Sequence, residues 1–391
     1  MISFEKALSI VMAADRQVES ETVPFTRALG RILASDALSD IDMPSFDRSS
    51  MDGFALRKAD MHLDLEVIET IPAGKSPLKK IGSGQCSRIM TGAMVPEGAD
   101  CVVMVEDTKI LFTGLIRIKN QLPKDNISFR GEDVKKGDVV LRQGRLIKPE
   151  DIAVLASTGN TTVVVRRMPG VAVISTGSEL IEPYSTPAGS QVRDSNSYQL
   201  MAQVERAGAY GRYYGIAKDD EEETLSVVRK AIDENDIVIL TGGVSMGDFD
   251  FVPSVFRRAG VTIQFNRIAV QPGKPTTFGI HPEALVFGLP GNPVSSFMQF
   301  ELLVRPLIYK MMGYGWHPLT ISLPLKERYR RRSSERMGLI PVAITEDNMV
   351  SPVEFHGSAH ISAIPFADGI IVIPAGKDTL EKGEFVSVRP F

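Results

Sequence analysis

The run Ile237-Val238-Ile239-Leu240-Thr241 breaks abruptly into Gly242-Gly243-Val244-Ser245-Met246-Gly247-Asp248-Phe249-Asp250, and no other feature constrains the fold and chemistry of the chain as tightly. The apolar, β-branched half predicts a strand. In the loop that follows, Gly242, Gly243 and Gly247 let backbone N–H groups turn toward an anion with no Cβ in the way. Asp248 and Asp250 supply hard oxygen ligands suited to Mg²⁺. Taken alone, the same stretch also fits an ordinary strand-to-helix turn ending in an N-cap aspartate.

Three more loops of this kind follow strand-like runs. Thr176-Gly177-Ser178-Glu179 follows Val171-Ala172-Val173-Ile174, Gln271-Pro272-Gly273-Lys274-Pro275 follows Ile268-Ala269-Val270, and Leu289-Pro290-Gly291-Asn292-Pro293 follows Ala284-Leu285-Val286-Phe287. Helical patterns lie between them. Asp194-Ser195-Asn196 can cap a helix with Leu200, Met201, Val204 and Ala207 on one face and Gly208 as its stop, and Asp219-Asp220 can begin a second with Leu225, Val228, Ala231 and Ile232. Strands alternating with helices imply a parallel sheet, whose ligands bind outside the carboxyl ends of the strands. The four loops are therefore expected to share one crevice.

Elsewhere the pattern changes. Ile2 to Ala14 has helical spacing and mixes charges among its apolar positions, which does not match a signal peptide, and a second short helix is expected over Phe25 to Ala37. Residues 50–150 read as a β-rich module, Lys148 to Ala156 as a helix ended by Gly159, Pro293 to Met311 as one long helix, and the chain beyond Pro318 as a small β-barrel. A net charge of −4 argues against a nucleic-acid partner, and no apolar run reaches the roughly 20 residues of a membrane span. The exception in charge is Lys326-Glu327-Arg328-Tyr329-Arg330-Arg331-Arg332, read as a strand with a solvated basic side. Cys86 and Cys101 lack metal-binding spacing and are expected as buried free thiols in a reducing cytoplasm. His356 and His360 lie in a strand-like region where a spacing of four does not bring them together.

With these residues in view, a family resemblance emerges. Ser175 to Leu180, Asp194 to Asn196, Gly242 to Asp248, Pro272 to Pro275 and Leu289 to Ser295 resemble a molybdopterin-binding domain that also occurs in adenylyltransferases. Ser49 to Ala55, Met90 to Ala93, Pro96 to Asp100, Arg130 to Asp133 and the tail segments 369–376 and 383–388 look like the signatures of molybdopterin molybdenumtransferases, the MoeA and gephyrin E-domain family. The resemblance covers essentially the whole chain. It implies a multidomain α/β plus β architecture: a split helical and strand segment with an inserted β-rich lobe over residues 1–168, a doubly wound α/β domain over 169–315, and a C-terminal β-barrel over 316–391.

By the same resemblance, the substrates are adenylylated molybdopterin and molybdate. Adenylate leaves, and molybdenum is placed on the dithiolene sulfurs in molybdenum cofactor biosynthesis. Asp52, Thr91, Asp133, Glu179 and Asp250 carry over as catalytic residues, and Asp219 and Asp250 as ligands for Mg²⁺. Asp52 is expected to orient Mg²⁺ or a water, or to act as a base. Thr176, Gly177, Asp194, Gly242, Gly243, Val244, Ser245, Pro290, Gly291, Asn292, Pro293 and Ser295 carry over as cofactor-binding positions. Arg267 and Lys274 are the cations available for the oxyanion. Gln271 stands where one branch of the family has lysine, which removes a charge and leaves tungstate open as an alternative. A cytoplasmic homodimer completing each site with the partner's N-terminal region is implied, with an adenylyltransferase and downstream cofactor acceptors as further partners and no nucleic acid or membrane. The competing readings are a molybdopterin adenylyltransferase and a non-catalytic receptor-clustering scaffold on the same fold.

Overall fold

The structure is a computed structural model that describes residues 1–14, 16–112, 114–119, 124–243, 251–354 and 356–391. It divides into two compact units: residues 1–21, 30–34 and 164–391 form one, and residues 22–29 and 35–163 the other.

The second unit is built on a six-stranded sheet in the order Cys101–Met104, Gly53–Leu56, Gln85–Ile89, Asp64–Ile71, Leu115–Ile118, Thr108–Phe112. Phe54, Leu56, Leu65, Val103 and Ile116 form its core together with both cysteines. Leu56 pairs with Cys86 on one side and with Cys101 on the other. The two thiols are thus two strand spacings apart, about 9–10 Å, beyond the roughly 7 Å that a disulfide tolerates between Cα atoms. Both are free, and burial pushes each up to about 12. The helix expected over Phe25 to Ala37 is not formed. A single 3₁₀ turn, Phe25–Arg27, ends before Gly30, whose φ of 75° is incompatible with a continuing helix, and Ala34 then donates to Val164 as extended chain.

The first unit carries the α/β sheet: β1 Gly170–Thr176, β2 Tyr210–Ala217, β3 Ile237–Thr241, β4 Thr262–Phe265, β5 Thr277–Ile280 and β6 Leu285–Leu289, in the order β2-β1-β3-β6-β5-β4. β2, β1, β3 and β6 are parallel, and β5 runs against both neighbours. The reversal has a local cause. His281 N–H donates to Ala284 O across the short turn that joins β5 to β6, and so short a link can only produce an antiparallel pair. Helices α1 Asn196–Arg206, α2 Glu221–Glu234, α3 Val252–Arg258 and α4 Pro293–Gln299 pack on the sheet. Asp220 caps α2 by accepting from Glu223 N–H (2.7 Å), and Gly208, at φ 76°, follows the end of α1.

The long helix expected from Pro293 onward is present but switches register. After α4 come a π turn, Phe300–Val304, and a further α-helix, Arg305–Met311. Pro306 has no N–H to offer the carbonyl four residues back and its ring crowds that position, and the wider turn just before it absorbs the misfit. Within the turn Glu301 is 2% exposed and accepts from Gln203 (2.7 Å), Arg305 (2.8 Å) and Arg206, which fastens α1 to this helix.

The C-terminal strands Ile321–Pro324, Met337–Ile344, Gly369–Ile373 and Phe385–Pro390 close around Leu325, Val342, Val350, Ile371 and Val388. Their sheet is extended by an element from outside the C-terminal stretch. Val270–Gln271 pairs in parallel with the start of Met337–Ile344, so the strand before the loop 271–275 belongs to the C-terminal sheet and not, as its sequence neighbours suggested, to the α/β sheet.

Candidate active site

Three of the four expected loops leave adjacent strands, β1, β3 and β6. They approach closely because glycine permits it. Gly242 has φ 97°, and a Cβ there would lie 2.2 Å from Thr176 O. At Gly291 a Cβ would sit 3.4 Å from the Cα of Gly242. Asn196, at the start of α1, ties two of the loops together: its Nδ2 donates to Gly291 O (2.7 Å) and to Thr241 Oγ1 (3.1 Å), and Thr241 Oγ1 donates onward to Pro290 O (3.2 Å). Thr176 Oγ1 is buried beside Gly242 and Gly243 with no hydrogen-bond partner among the described residues, so a polar ligand at this point would satisfy it. Val244, Ser245 and Asp250, with Gly247 and Asp248, lie outside the described residues.

Glu179 is exposed, and its carboxylate folds over Gly177, where a Cβ would be 2.8 Å from both of its oxygens. Asp219, also exposed, accepts from Ser178 N–H (2.9 Å), which holds it beside that loop. Among the described residues no group of three or more His, Cys, Asp or Glu side chains forms a metal cluster. Two hard carboxylates on one rim nonetheless fit Mg²⁺, which keeps several waters and takes its remaining ligands from substrate phosphates. Asp194 is placed differently. It is 2% exposed, accepts from Ser197 N–H (3.1 Å) and Tyr213 Oη (3.4 Å), and serves the start of α1 without facing the crevice openly.

The fourth loop reaches the same neighbourhood from the C-terminal sheet. Lys274, Pro272 and Gln271 line a cavity of about 640 Å³ together with Pro290, Asn292 and Ser295 from the α/β side and Arg330, Arg331, Arg332, Arg336 and Ser358 from the C-terminal side. Asn292 Nδ2 donates to Ser358 Oγ (2.8 Å), and Val294 N–H, in the first turn of α4, donates to Ser358 O. Ser295 is buried in that turn, while the Ser296 hydroxyl returns to Pro293 O (2.9 Å). Arg267 is exposed and outside the cavity lining, with its carbonyl accepting from Ile2 N–H.

In the basic run 326–332 the alternating cations Lys326, Arg328, Arg330 and Arg332 are exposed, as expected of a solvated basic side, and Arg331 is the exception. Arg331 is 8% exposed; its Nε donates to Lys377 O (2.9 Å) and Nη2 to Pro374 O (3.2 Å), leaving Nη1 buried and unpartnered among the described residues. Gly338 makes room for it, since a Cβ there would lie 2.4 Å from Nη1. Burial lowers the Arg331 pKa from its ordinary value without discharging the guanidinium. The alternation that puts Tyr329 inward puts Arg331 on the same side, a signal present in the sequence and not used. His356 and His360 also depart from expectation: a turn brings their rings to 5.1 Å between centroids at the rim of this cavity.

In the other unit, Gly53 opens a strand so close to its neighbour that a Cβ would lie 2.1 Å from Val103 O, which fixes Asp52 at the strand entrance. Asp52 Oδ1 accepts from Thr91 N–H (2.6 Å) and Thr91 Oγ1 (2.7 Å). Those two donors, the backbone one first and with help from Arg88, hold the Asp52 carboxyl below its ordinary value of 3.8. The Thr91 hydroxyl is thereby committed to Asp52. A carboxylate stabilised in this way is an orienting anion and a weak base at neutral pH. Asp133 is exposed, and its N–H donates to Met43 O (3.0 Å).

Sequence profiles of known families match three stretches: the MoeA N-terminal region (domain I and II) at residues 2–159, a probable molybdopterin binding domain at 172–310, and the MoeA C-terminal region (domain IV) at 323–391. The molybdopterin molybdenumtransferase of Staphylococcus epidermidis is 37% identical over 397 residues, covering 99% of this chain and 95% of that protein. That of Staphylococcus aureus strain Mu50 is 36% identical over 398 residues at the same coverage. Among solved structures, a molybdopterin biosynthesis MoeA protein from Pyrococcus horikoshii superposes with a TM-score of 0.87 at 30% identity over 100% of both chains. A second crystal structure of a molybdopterin biosynthesis MoeA protein from Pyrococcus horikoshii gives 0.85 at 33%, over 100% of this chain and 99% of that one.

Proposed function

Because the chain belongs to the MoeA family of molybdopterin molybdenumtransferases, we propose that the crevice at the ends of β1, β3 and β6 holds adenylylated molybdopterin while the adjoining cationic cavity receives molybdate. The enzyme acts in molybdenum cofactor biosynthesis. The observation that carries the assignment of the two pockets is Arg331: a buried guanidinium with one unpartnered N–H group, set in a cavity with Lys274 and Arg336, is suited to a compact dianion.

The chain's own residues divide the work by position. The amide at Gly243, the Thr176 hydroxyl and the N-terminal turn of α4 at Pro293 and Ser295 bind phosphate oxygens, the helix start contributing roughly 0.3–1 kcal/mol of anion attraction, while the Gly242 amide donates to Leu289 O and its missing Cβ leaves room for the ligand. Asn196 keeps the Thr241 and Gly291 loops at fixed separation, so both ends of the substrate are positioned together. Glu179 and Asp219, with Asp250, would hold Mg²⁺, which when bound supplies charge neutralisation at the phosphate oxygens. Lys274 and Arg331 place the oxyanion, with Gln271 as a neutral neighbour at the cavity edge. Asp52, kept ionised by Thr91, orients a water or the metal's hydration shell, and Asp133 supports it. A cytoplasmic homodimer in which the partner's N-terminal region contributes Asp52 rests on the family resemblance, as do an adenylyltransferase supplying the substrate and apoenzymes receiving the product.

The test is molybdate-dependent release of AMP from adenylylated molybdopterin by the purified chain in the presence of Mg²⁺, with Arg331→Met needing at least several-fold more molybdate for half-maximal rate. Release that ignores molybdate, or pyrophosphate production from ATP and molybdopterin, would overturn the reading in favour of an adenylyltransferase.

A further inference from the structure

The helix that begins with α4 builds one wall of the cationic cavity at its start, where Asn292 and Ser295 line it, and meets the C-terminal sheet a second time at the π turn. The second meeting has a local cause. In the π turn the Arg305 N–H donates to Phe300 O, five residues back. The next amide in this register would serve Glu301 O, but residue 306 is proline and has no N–H to give. Glu301 is buried, so its carbonyl is left in a dry interior with no donor from its own helix among the described residues. Arg389, on the strand Phe385–Pro390, supplies one: its Nη2 donates to Glu301 O at 2.6 Å.

The Arg389 guanidinium is itself held in place. It lies 5.0 Å from the centroid of the Trp316 ring, and that of Arg305 lies 5.1 Å from the same ring. Burial lowers the Arg389 pKa to about 10, which leaves the group charged at neutral pH. Two residues on, Phe391 packs edge-on against Phe297 of α4 with 4.8 Å between ring centroids. From Arg389 the strand pairing leads to the opposite wall of the cavity. Ile370 pairs with Arg389 on one side and with Pro341 on the other, and Pro341 belongs to Met337–Ile344, which brings Gly338, Leu339 and Ile340 to the lining. Helix and C-terminal sheet are therefore joined at two places: Ser358 meets Asn292 and Val294 at the helix start, and Arg389 meets Glu301 roughly 10 Å further along the axis. A single attachment would let one wall turn against the other, and two fix the angle. We propose that Arg389 is a positioning residue for oxyanion capture, holding the C-terminal wall at the separation from α4 that the cationic cavity requires. This rests on the reading of that cavity as the oxyanion site.

The experiment measures molybdate-dependent AMP release and thermal denaturation in full-length variants. A ligand that must first assemble its site binds more weakly in proportion to the fraction of protein already assembled, while the bound complex is unchanged. Arg389→Met keeps the length of the side chain and drops its donors. It should raise the molybdate concentration for half-maximal rate by about fivefold or more and leave kcat at saturating molybdate within about twofold of wild type. Pro306→Ala returns an amide donor to the helix at Glu301 O, so combining it with Arg389→Met separates positioning from mere satisfaction of that carbonyl. The double variant should regain Tm lost in Arg389→Met and keep the raised midpoint. Val388→Ala, on the same strand but facing the C-terminal core, should lower Tm and leave the midpoint where it was. A loss of Tm in Arg389→Met with an unchanged midpoint overturns the proposal, as does recovery of the midpoint in the double variant or an equal shift in Val388→Ala. Should Arg389→Met fail to fold, the double variant carries the test, and a wild-type midpoint in it is the refuting result. Failure of the underlying reading looks different, because Arg331→Met would then leave the molybdate midpoint unchanged as well.

Discussion

Replacing Asn196 by alanine removes a side chain that bridges the ends of β3 and β6, and the structure allows its cost to be worked out. Two hydrogen bonds disappear, the 2.7 Å bond to Gly291 O and the 3.1 Å bond to Thr241 Oγ1. Their loss is not symmetric. Gly291 is exposed, so its carbonyl regains water, while the Thr241 hydroxyl keeps Pro290 O as its own acceptor. Neither group is stranded in a dry interior, which places the penalty near the net worth of two bonds, about 1–2 kcal/mol, and not at a full desolvation cost. For a unit of this size that corresponds to a fall in Tm of roughly 2–8 °C. Asn196→Asp should be worse than Asn196→Ala, because a carboxylate within hydrogen-bond distance of Gly291 O sets acceptor against acceptor. Activity should fall further than stability in both variants, since the two loops would no longer be held at one separation. Thermal denaturation monitored by circular dichroism, alongside the AMP-release assay, gives both quantities. An Asn196→Asp variant as stable as wild type, or more stable than Asn196→Ala, would show that the amide is not acting as a double donor and would refute the argument.

Gln271 lies in the lining of the cationic cavity proposed for the oxyanion, so Gln271→Lys should tighten molybdate by about 1 kcal/mol, close to fivefold, the modest gain of a partly solvated charge, and Lys274→Ala should weaken it; an oxyanion titration unchanged in both places the ion elsewhere. Thr91 holds the Asp52 carboxyl below 3.8, so the benefit of the ionised form is complete above the ordinary value and is lost only as pH falls through the lowered one. The acid limb of activity in Thr91→Val should accordingly move to higher pH than in wild type, and coincident limbs in the pH–rate profiles would contradict this. If the active species is a homodimer with shared sites, mixing inactive Asp52→Ala with inactive Asp250→Ala should restore roughly a quarter of wild-type activity at statistical exchange, because about half of the dimers are mixed and each of those carries one intact site. Verified subunit exchange without recovery would place both aspartates in one chain.

Local patterns were enough to read the parts of this protein whose structure is decided locally. Strands β1, β3 and β6 are apolar runs ending in glycine-rich turns, and the capping of α2 by Asp220 and the stop at Gly208 follow from side-chain and φ preferences that operate within four residues. The position of Glu179 follows in turn, because it sits just past the end of β1, whereas Asp219 follows β2, whose half-exposed residues carry no such local signature. Other features depend on partners far away in sequence. Val270–Gln271 is too short for its own composition to choose a sheet, and its pairing with Met337 and Gly338 is what delivers Lys274 to the C-terminal arginines. Asn196 looked like a capping residue because its neighbours are Asp194 and Ser195. That its amide instead spans two loops depends on Thr241 and Gly291, 45 and 95 positions away. Arg331 shows the difference most directly. The sequence by itself determined that the run 326–332 is cationic and alternating; only the tertiary structure decided that one of its guanidinium groups would be turned inward beside Gly338 and left with an unsatisfied donor, since its burial depends on the carbonyls of Pro374 and Lys377, more than 40 residues away, and on the space that Gly338 leaves open.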